Sequence, residues 1–298
     1  MIEICLLGCG GVMPLPDRAL TSLYVRYNGR AILIDCGEGT QTSLRRCEVK
    51  HSQIDAIMFT HLHADHVSGT VGLLLTFGLE GRTEPLKIYG PHGIKAAVEA
   101  MRIIAPNLPF PIIYTELDQA DTVFNETGLR VTAFPLKHSV PCLGYKLELD
   151  RAPKFDPAKA KAHGIPVKLW SVLQSGESVD GYSPSDVLGE ARRGISLLYA
   201  TDSRPTEDIE RYGKDTDLMI LEAMYGDSEL EDKAREAGHM MTYEAARLAS
   251  DACTKELWLT HYSPQMNDPE EYAEQISSIF PRTVIPKDSL SCVLHFEN

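Results

Sequence analysis

Residues 55–69 place four metal-capable side chains within six positions, directly after a short apolar run at 57–59. The segment reads D-A-I-M-F-T-H-L-H-A-D-H-V-S-G, and the four side chains are His61, His63, Asp65 and His66. In an extended chain the first three would point to the same side, and the fourth would join them only if the chain turned at the aspartate. Three of the ten histidines in the chain lie in this hexapeptide. Such a density of nitrogen and oxygen ligands favours a divalent metal site over a solvated surface loop.

The same pattern recurs at three other places, where an apolar run ends on a residue able to bind metal. These residues are His138, Asp202 and His261. Each one alone is weak evidence, because a lone histidine after a strand is more often a loop residue. Strand ends in a packed sheet share an edge, however, so all four places could converge on one site.

A metal site of this kind that catalysed hydrolysis would also need a group that protonates the leaving oxygen. His239 is our candidate general acid, and Glu222 is the candidate carboxylate that would orient its imidazole. Asp65 could act both as a ligand and as a hydrogen-bond acceptor that orients the nucleophile. The alternative interpretation is that His239 is an ordinary loop histidine and Glu222 a strand-end acid with no catalytic role.

Composition narrows the class of protein. No apolar run approaches the roughly 18 residues of a membrane span, so no membrane partner is expected. Seven cysteines, an odd number scattered through apolar context, favour a reducing compartment, and we therefore predict a cytoplasmic protein. The net charge of −13 argues against a nucleic-acid partner. Residues 151–168 are an exception, because they carry five basic side chains and one acidic one.

The order of apolar runs predicts strands interleaved with helices, which fits an α/β sandwich of two sheets covered by helices. Residues 69–79 are apolar nearly all round and predict a buried helix. Residues 151–190 break the rhythm with prolines and glycines and predict a long insertion with one short helix near 157–163. Residues 8–11, G-C-G-G, lack the third glycine of a dinucleotide-binding loop, so we interpret them as a glycine-rich bend that could line a site.

These motifs together resemble a known family. H-L-H-A-D-H at 61–66 is similar to the signature of the metallo-β-lactamase superfamily. Within that superfamily, D-C-G-E-G-T-Q at 35–41 and several later segments in the right order resemble the ribonuclease Z family of transfer-RNA 3′-end endonucleases. The resemblance covers nearly the whole chain. It implies one αββα four-layer metallo-β-lactamase-like domain over 1–298, with an inserted arm at about 151–190, and a homodimer.

The resemblance also implies a ligand set for two divalent metal ions, with zinc expected. One ion would be held by His61, His63 and His138. The other would be held by Asp65, His66 and His261, and Asp202 would bridge the two. Two such ions can stabilise both the attacking and the leaving oxygen of a phosphodiester.

Three functions remain open from the sequence. The first is an endoribonuclease that trims the 3′ end of transfer-RNA precursors, with residues 154–180 as a substrate-discriminating arm. Leu169 and Trp170 suit a solvated loop poorly, so we expect the tip of this arm to contact a bound substrate or a partner subunit. The second is a small-molecule phosphodiesterase or a related hydrolase, favoured by the acidic net charge and by an arm that lacks the family's usual Gly-Pro tip. The third is a metal-binding scaffold without turnover, which an intact set of seven ligands disfavours. A β-lactamase is disfavoured because those enzymes often have cysteine where Asp202 stands.

Overall fold

A computed structural model describes residues 1–118 and 120–297. The strands in these residues are β1 (Ile2–Gly8), β2 (Ser22–Tyr27), β3 (Arg30–Ile34), β4 (Ile54–Met58), β5 (Leu86–Pro91), β6 (Ile112–Leu117), β7 (Thr122–Glu126), β8 (Leu129–Leu136), β9 (Cys142–Arg151), β10 (Arg192–Ala200), β11 (Leu218–Glu222), β12 (Leu257–Thr260), β13 (Thr283–Val284) and β14 (Leu290–Leu294).

The α-helices in the same residues are α1 (Thr40–Arg46), α2 (Ala64–Val67), α3 (Thr70–Leu79), α4 (Ile94–Met101), α5 (Pro157–Ala162), α6 (Trp170–Gln174), α7 (Glu207–Gly213), α8 (Glu231–Ala237), α9 (Thr242–Asp251) and α10 (Ala273–Ile279). Short 3₁₀ turns lie at His51–Gln53, Arg102–Ile104, Val167–Leu169, Pro184–Asp186, Ser228–Leu230 and Pro269–Tyr272. Within the described ranges, none of these helices has the length and apolar character needed to cross a membrane.

The strands form two seven-stranded sheets. The first has the order β14-β1-β2-β3-β4-β5-β6, and the second has the order β13-β12-β11-β10-β9-β8-β7. Strands β3 to β6 are parallel to one another, as are β10 to β13. Strand β8 points the same way as β10, because both are antiparallel to β9, which lies between them. The carboxyl ends of β8, β10, β11 and β12 therefore lie along one edge of the second sheet.

Successive side chains along a strand point to opposite faces of its sheet, and this alternation produces two layers of apolar core. Ile4 and Leu6 of β1 belong to a cluster that fills the space between the sheets, together with residues such as Leu197 of β10. Cys5 and Leu7 face the other way and pack with side chains of α1, α3 and α4. Helices α7 and α9 cover the outer face of the second sheet. The result is the helix–sheet–sheet–helix arrangement predicted from the sequence, which is confirmed.

The burial of one helix differs from the prediction. The apolar helix predicted over 69–79 forms as α3, but it is not wholly buried: Leu75 is partly exposed and Leu79 is 88% exposed. Hydrophobicity all round a helix therefore does not identify which of its faces is covered, and an apolar side chain left in water suggests a further contact.

The predicted insertion leaves the sheet between β9 and β10, whose first paired residues are Arg151 and Arg192. It contains more structure than the single short helix expected from its sequence, because α6 follows α5. The insertion also has a small apolar core of its own, made of Ala160, Ile165, Leu169, Leu173 and Val187.

Leu169 and Trp170, expected at the tip of the arm as contacts for a substrate or a partner subunit, instead pack within the insertion. Leu169 is buried in the small core of the insertion. The ring of Trp170 packs on Phe155 at 5.1 Å, and its indole N–H donates to the Ile165 carbonyl at 3.0 Å. Both side chains stabilise the insertion itself.

Candidate metal centre and active site

The edge described above collects the residues that the sequence singled out. His138 follows β8, Asp202 follows β10 and His261 follows β12, while Glu222 is the last residue of β11. The segment after β4 in the first sheet brings the four residues of 61–66 to the same place. Parallel strand direction explains this convergence, because each of these strands delivers its carboxyl end to one side of the sandwich.

His61, His63 and His138 form the first donor group. Each offers one nitrogen, and the three nitrogens lie within 4.8 Å of one another. Nε2 of His138 is 3.3 Å from Nδ1 of His63. This is the trio assigned to one metal ion by the resemblance.

Asp65, His66 and His261 form the second donor group. Oδ2 of Asp65 lies 3.5 Å from Nε2 of His66 and 3.3 Å from Nε2 of His261. The two imidazole nitrogens are 3.2 Å apart. Asp65 reaches this position from the first turn of α2, so the expected alternation of an extended chain ends before it.

The two oxygens of Asp202 face different donor groups. Oδ1 is 3.9 Å from Nε2 of His61 and 4.0 Å from Nε2 of His138. Oδ2 is 3.2 Å from Nε2 of His66 and 3.3 Å from Nε2 of His261. A carboxylate with this geometry can serve both groups at once.

The protonation states of His61, His138 and Asp202 suit a cation. Burial, with the neighbouring His66, lowers the pKa of His61 well below its usual value, and burial also lowers the pKa of His138. Burial alone would raise the pKa of Asp202, but the imidazoles of His261 and His66 hold it well below the usual range. Neutral imidazoles and ionised carboxylates are the forms that coordinate metal.

One buried atom supports the same conclusion. Nε2 of His61 is buried and has no hydrogen-bond partner among the residues that the structure describes. An unpaired buried polar atom is unfavourable unless a ligand satisfies it. The clustered nitrogen and oxygen donors therefore fit divalent cations, as expected for zinc-type sites.

Three residues of the site have left-handed backbone conformations within two residues of a strand end. Asp35 has φ 62°, Asp202 has φ 54° and His261 has φ 57°. This conformation turns the chain sharply, so the side chain is presented at the sheet edge instead of continuing along the strand. Asp and His tolerate it better than most residues, although it still stores strain, which is a feature of functional sites.

The buried carboxylate of Asp35 orients one of the candidate ligands. Its Oδ2 is 2.8 Å from Nδ1 of His66, and Thr60 donates to the carboxylate through both its N–H and its hydroxyl. Burial lowers the pKa of His66, but Asp202 and Asp35 outweigh this effect and raise it well above its usual value. We did not single out Asp35 as a site residue from the sequence, although it ends the apolar run of β3 just as the other site residues end theirs.

We expect Asp35→Asn to weaken metal binding while leaving every candidate ligand in place. Loss of a carboxylate that orients a metal-binding histidine lowers metal affinity by about 10- to 100-fold. The measurement is competition with a chelator of known affinity. Asp217→Asn is the matched control, since Asp217 is also a largely buried carboxylate that accepts a backbone N–H, from Ser196, but lies outside the site. Equal affinities for the Asp35 variant and the native protein would contradict this role.

The glycine-rich bend lines the site, as the sequence predicted. A Cβ at Gly11 would come within 2.5 Å of the ring of His261, so only glycine lets the chain pass there. The next residue, Val12, has φ 69° and donates its N–H to Oδ2 of Asp65 at 2.7 Å. The bend therefore helps to position the second donor group.

The two candidate acid–base residues also meet in the structure. Nδ1 of His239 lies 3.0 Å from Oε2 of Glu222 and 3.8 Å from Oδ1 of Asp202. Burial opposes a charged imidazole here, but the carboxylate of Glu222 outweighs it and raises the pKa of His239 to about 9. The hydrogen bond to Glu222 uses Nδ1, which leaves Nε2 as the nitrogen available to another molecule.

Known proteins identify the family. Ribonuclease Z of Clostridium acetobutylicum is 45% identical to this chain, and the match covers 100% of both proteins. Ribonuclease Z of Agathobacter rectalis is 46% identical over 100% of this chain and 99% of its own length. The chain belongs to the ribonuclease Z family. This membership confirms the resemblance found in the motifs.

Other comparisons agree with ribonuclease Z membership. The family model of the metallo-beta-lactamase superfamily matches residues 16–150. The crystal structure of human tRNase Z, short form, is 25% identical, covers 99% of this chain and 100% of its own, and superposes with a TM-score of 0.73. YhfI, a metallo-beta-lactamase fold protein from Bacillus subtilis, is 20% identical over 98% of both chains with a TM-score of 0.71, which supports the fold alone. This member of the ribonuclease Z family is a metal-dependent hydrolase with the metallo-β-lactamase fold.

Proposed function

We propose that this protein is an endoribonuclease that cleaves transfer-RNA precursors at their 3′ side. The proposal depends on one observation above all: the seven candidate ligands form two donor groups with Asp202 between them. Membership of the ribonuclease Z family supports the choice of substrate over a small phosphodiester. We further propose one domain over 1–298, in which residues 151–190 are an inserted arm, and a cytoplasmic location.

Two divalent metal ions, zinc in our proposal, would be held at this edge of the sheet. The first would bind His61, His63 and His138, and the second would bind the other trio. Asp202 would bind both ions. When bound, such ions lower the pKa of water and neutralise charge that develops on a phosphodiester. Acidic residues and imidazoles with no cysteine ligand fit zinc or a similar borderline cation.

The protein's own side chains would supply orientation and proton transfer. Asp65, an acceptor already fixed by the Val12 N–H, would orient the nucleophile. His239, protonated because of Glu222, would give its proton from Nε2 to the leaving ribose oxygen. Glu222 would keep the imidazole of His239 in one orientation. The second carboxylate oxygen of Glu222 accepts the N–H of Ser203, so the carboxylate group cannot rotate freely.

We predict that His239→Ala slows cleavage of an RNA substrate much more than hydrolysis of an activated one. A ribose alkoxide needs a proton to depart, so loss of a general acid reduces the rate by roughly 10²- to 10⁴-fold. A nitrophenolate departs without a proton, and the loss with bis-nitrophenyl phosphate should therefore be much smaller. Single-turnover rates on both substrates, together with the metal content, are the measurement.

His92→Ala is the matched control for this experiment, because His92 is an exposed histidine that is also paired with a carboxylate, Glu116. It should leave both rates unchanged. Equal losses on the two substrates in the His239 variant would mean that this residue shapes the site instead of donating a proton.

The proposed function itself is tested by incubating the purified protein with a transfer-RNA precursor that carries a 3′ trailer, and in parallel with bis-nitrophenyl phosphate. We expect a single cut that releases the trailer and is abolished by a chelator. Hydrolysis of the small phosphodiester without any cleavage of the precursor would instead support a small-molecule phosphodiesterase.

We also propose that the protein is a homodimer. Leu75 and Leu79 on α3 are exposed, and so are Ile103 and Ile104 directly after α4, a helix that packs against α3. Exposed apolar side chains on neighbouring elements support an interaction surface on this side of the protein. Light scattering should give twice the chain mass, and Leu79→Lys should shift it towards the monomer.

A further inference from the structure

Arg204 connects three loops of the site. Its backbone N–H donates to the carbonyl of Lys137, the residue before His138, at 2.9 Å. Its guanidinium donates to the carbonyl of His239 at 2.6 Å. Arg204 itself stands two residues after Asp202. One residue thus touches the chain beside a candidate ligand and the chain that carries the candidate acid.

Glu244, in the first turn of α9, completes the arrangement. Its two oxygens accept from both terminal nitrogens of Arg204, with 2.8 Å for one of these hydrogen bonds. Its Oε2 also accepts the N–H of Met241 at 2.9 Å. The side chains of Arg204 and Glu244 are only 14% and 15% exposed, so water competes weakly for this bidentate contact.

The segment between α8 and α9 contacts Arg204 near its start and Tyr225 near its end, where the Tyr225 N–H donates to the Met240 carbonyl. It begins at Gly238, which has φ 78°, and His239 is held from the other side by its own N–H, which donates to the Ala234 carbonyl. The carbonyl of Gly238 is 3.2 Å from Nδ1 of His138. Movement of this segment would therefore displace the candidate acid and could also disturb one candidate ligand.

We propose that Arg204 is a positioning residue for His239, and that Glu244 holds its guanidinium against the His239 carbonyl. This inference deepens the proposed function and depends on the role given there to His239. Arg204 touches the main chain of His239 and not its imidazole, so it acts on where the ring lies. A displacement of about 1 Å in a catalytic group can reduce a rate by roughly 10²-fold.

The test is a double-mutant cycle of Arg204→Met with His239→Ala. Methionine keeps the length and apolar stem of arginine but removes the donors. In the native background we expect kcat for the transfer-RNA precursor to fall about 10- to 100-fold with little change in KM. In the His239→Ala background the same change should add less than about twofold, because the group that it positions is already gone.

Two further measurements separate positioning from general damage to the site. The loss with bis-nitrophenyl phosphate should be much smaller than with the precursor, since that leaving group needs no proton. Metal content should stay equal to that of the native protein, which would show that His138 is undisturbed. Arg211→Met is the matched control: this arginine also pairs with carboxylates, Asp208 and Asp121, but on the exposed surface.

A loss of similar size in both backgrounds, or on both substrates, would overturn the inference. If Arg204→Met fails to fold, Glu244→Gln carries the same cycle, because it keeps an acceptor for Met241 and removes only the charge from the pair. If the native protein cleaves no precursor but hydrolyses bis-nitrophenyl phosphate, the proposed function fails. A dinucleoside monophosphate then replaces the precursor, and the cycle still decides the role of Arg204.

Discussion

Asp202→Ala is expected to remove metal and hydrolysis together. Each oxygen of this carboxylate faces a different donor group, at 3.2 Å from His66 on one side and 3.9 Å from His61 on the other. Without the Asp202 carboxylate, the two donor groups lose the negative ligand that they share. The imidazoles of the two groups would then face one another across a buried space. Loss of metal assistance removes several kcal/mol of transition-state stabilisation, so activity should fall by at least roughly 10³-fold. Elemental analysis and hydrolysis of bis-nitrophenyl phosphate are measured on the same sample.

The control for Asp202→Ala is Asp215→Ala. Both aspartates have φ 54°, so alanine introduces a similar backbone strain at each, but Asp215 is exposed and lies outside the site. Asp215→Ala should keep its metal and its activity. A native protein that holds only trace metal after reconstitution with zinc would contradict the two-metal proposal, and so would an Asp202 variant that retains full metal content.

Replacement of the arm is expected to abolish precursor cleavage while sparing the hydrolysis of a small phosphodiester. The arm leaves the sheet at Arg151 and returns at Arg192, the first residue of β10. Strand β10 then runs nine residues to the edge with the donor groups. The eight steps between these residues span roughly 26 Å at about 3.3 Å per step. The base of the arm is therefore remote from the two donor groups.

The replacement should keep the base of the arm intact. Phe155 and Leu188 form a bridge there, and Gly189 donates to the Lys154 carbonyl at 2.8 Å. A short Gly-Ser linker in place of residues 156–187 preserves these contacts. We expect the affinity for a transfer-RNA precursor to fall and its salt dependence to become shallower, since fewer phosphates would be neutralised. Normal processing by this variant would show that the arm does not bind the substrate.

Charge reversal separates the basic side chains from the shape of the arm. Lys161 and Lys168 are exposed, and replacing both with glutamate leaves the small apolar core of the arm untouched. The slope of log affinity against log salt should become shallower by up to about 0.7–0.9 for each phosphate that is no longer neutralised. Lys214→Glu, at an exposed position outside the arm, is the matched control.

The local sequence was sufficient to predict the type of chemistry. Three imidazoles and a carboxylate in 61–66 indicate a metal site in almost any fold, because that combination has no use in an apolar core. Apolar runs that end on His138, Asp202 and His261 indicated strand ends, and the layered α/β class followed from the order of these runs. These predictions succeeded because they depend on residue type and on short spacings along the chain.

Tertiary structure decided the geometry of the site and the contacts around it. The family resemblance already implied that Asp202 lies between the two donor groups, but only the structure shows that Oδ1 faces the first group and Oδ2 the second, at the edge where β8, β10, β11 and β12 end. The contacts of Asp35 with His66 and of Arg204 with His239 span 31 and 35 residues, and no local pattern encodes them. Trp170 was misjudged for the same reason: an aromatic residue in a proline-rich insertion can serve a small core whose other members are distant in sequence. Residue types and short spacings thus determined the chemistry, whereas partners, distances and protonation states depended on packing between segments far apart in the chain.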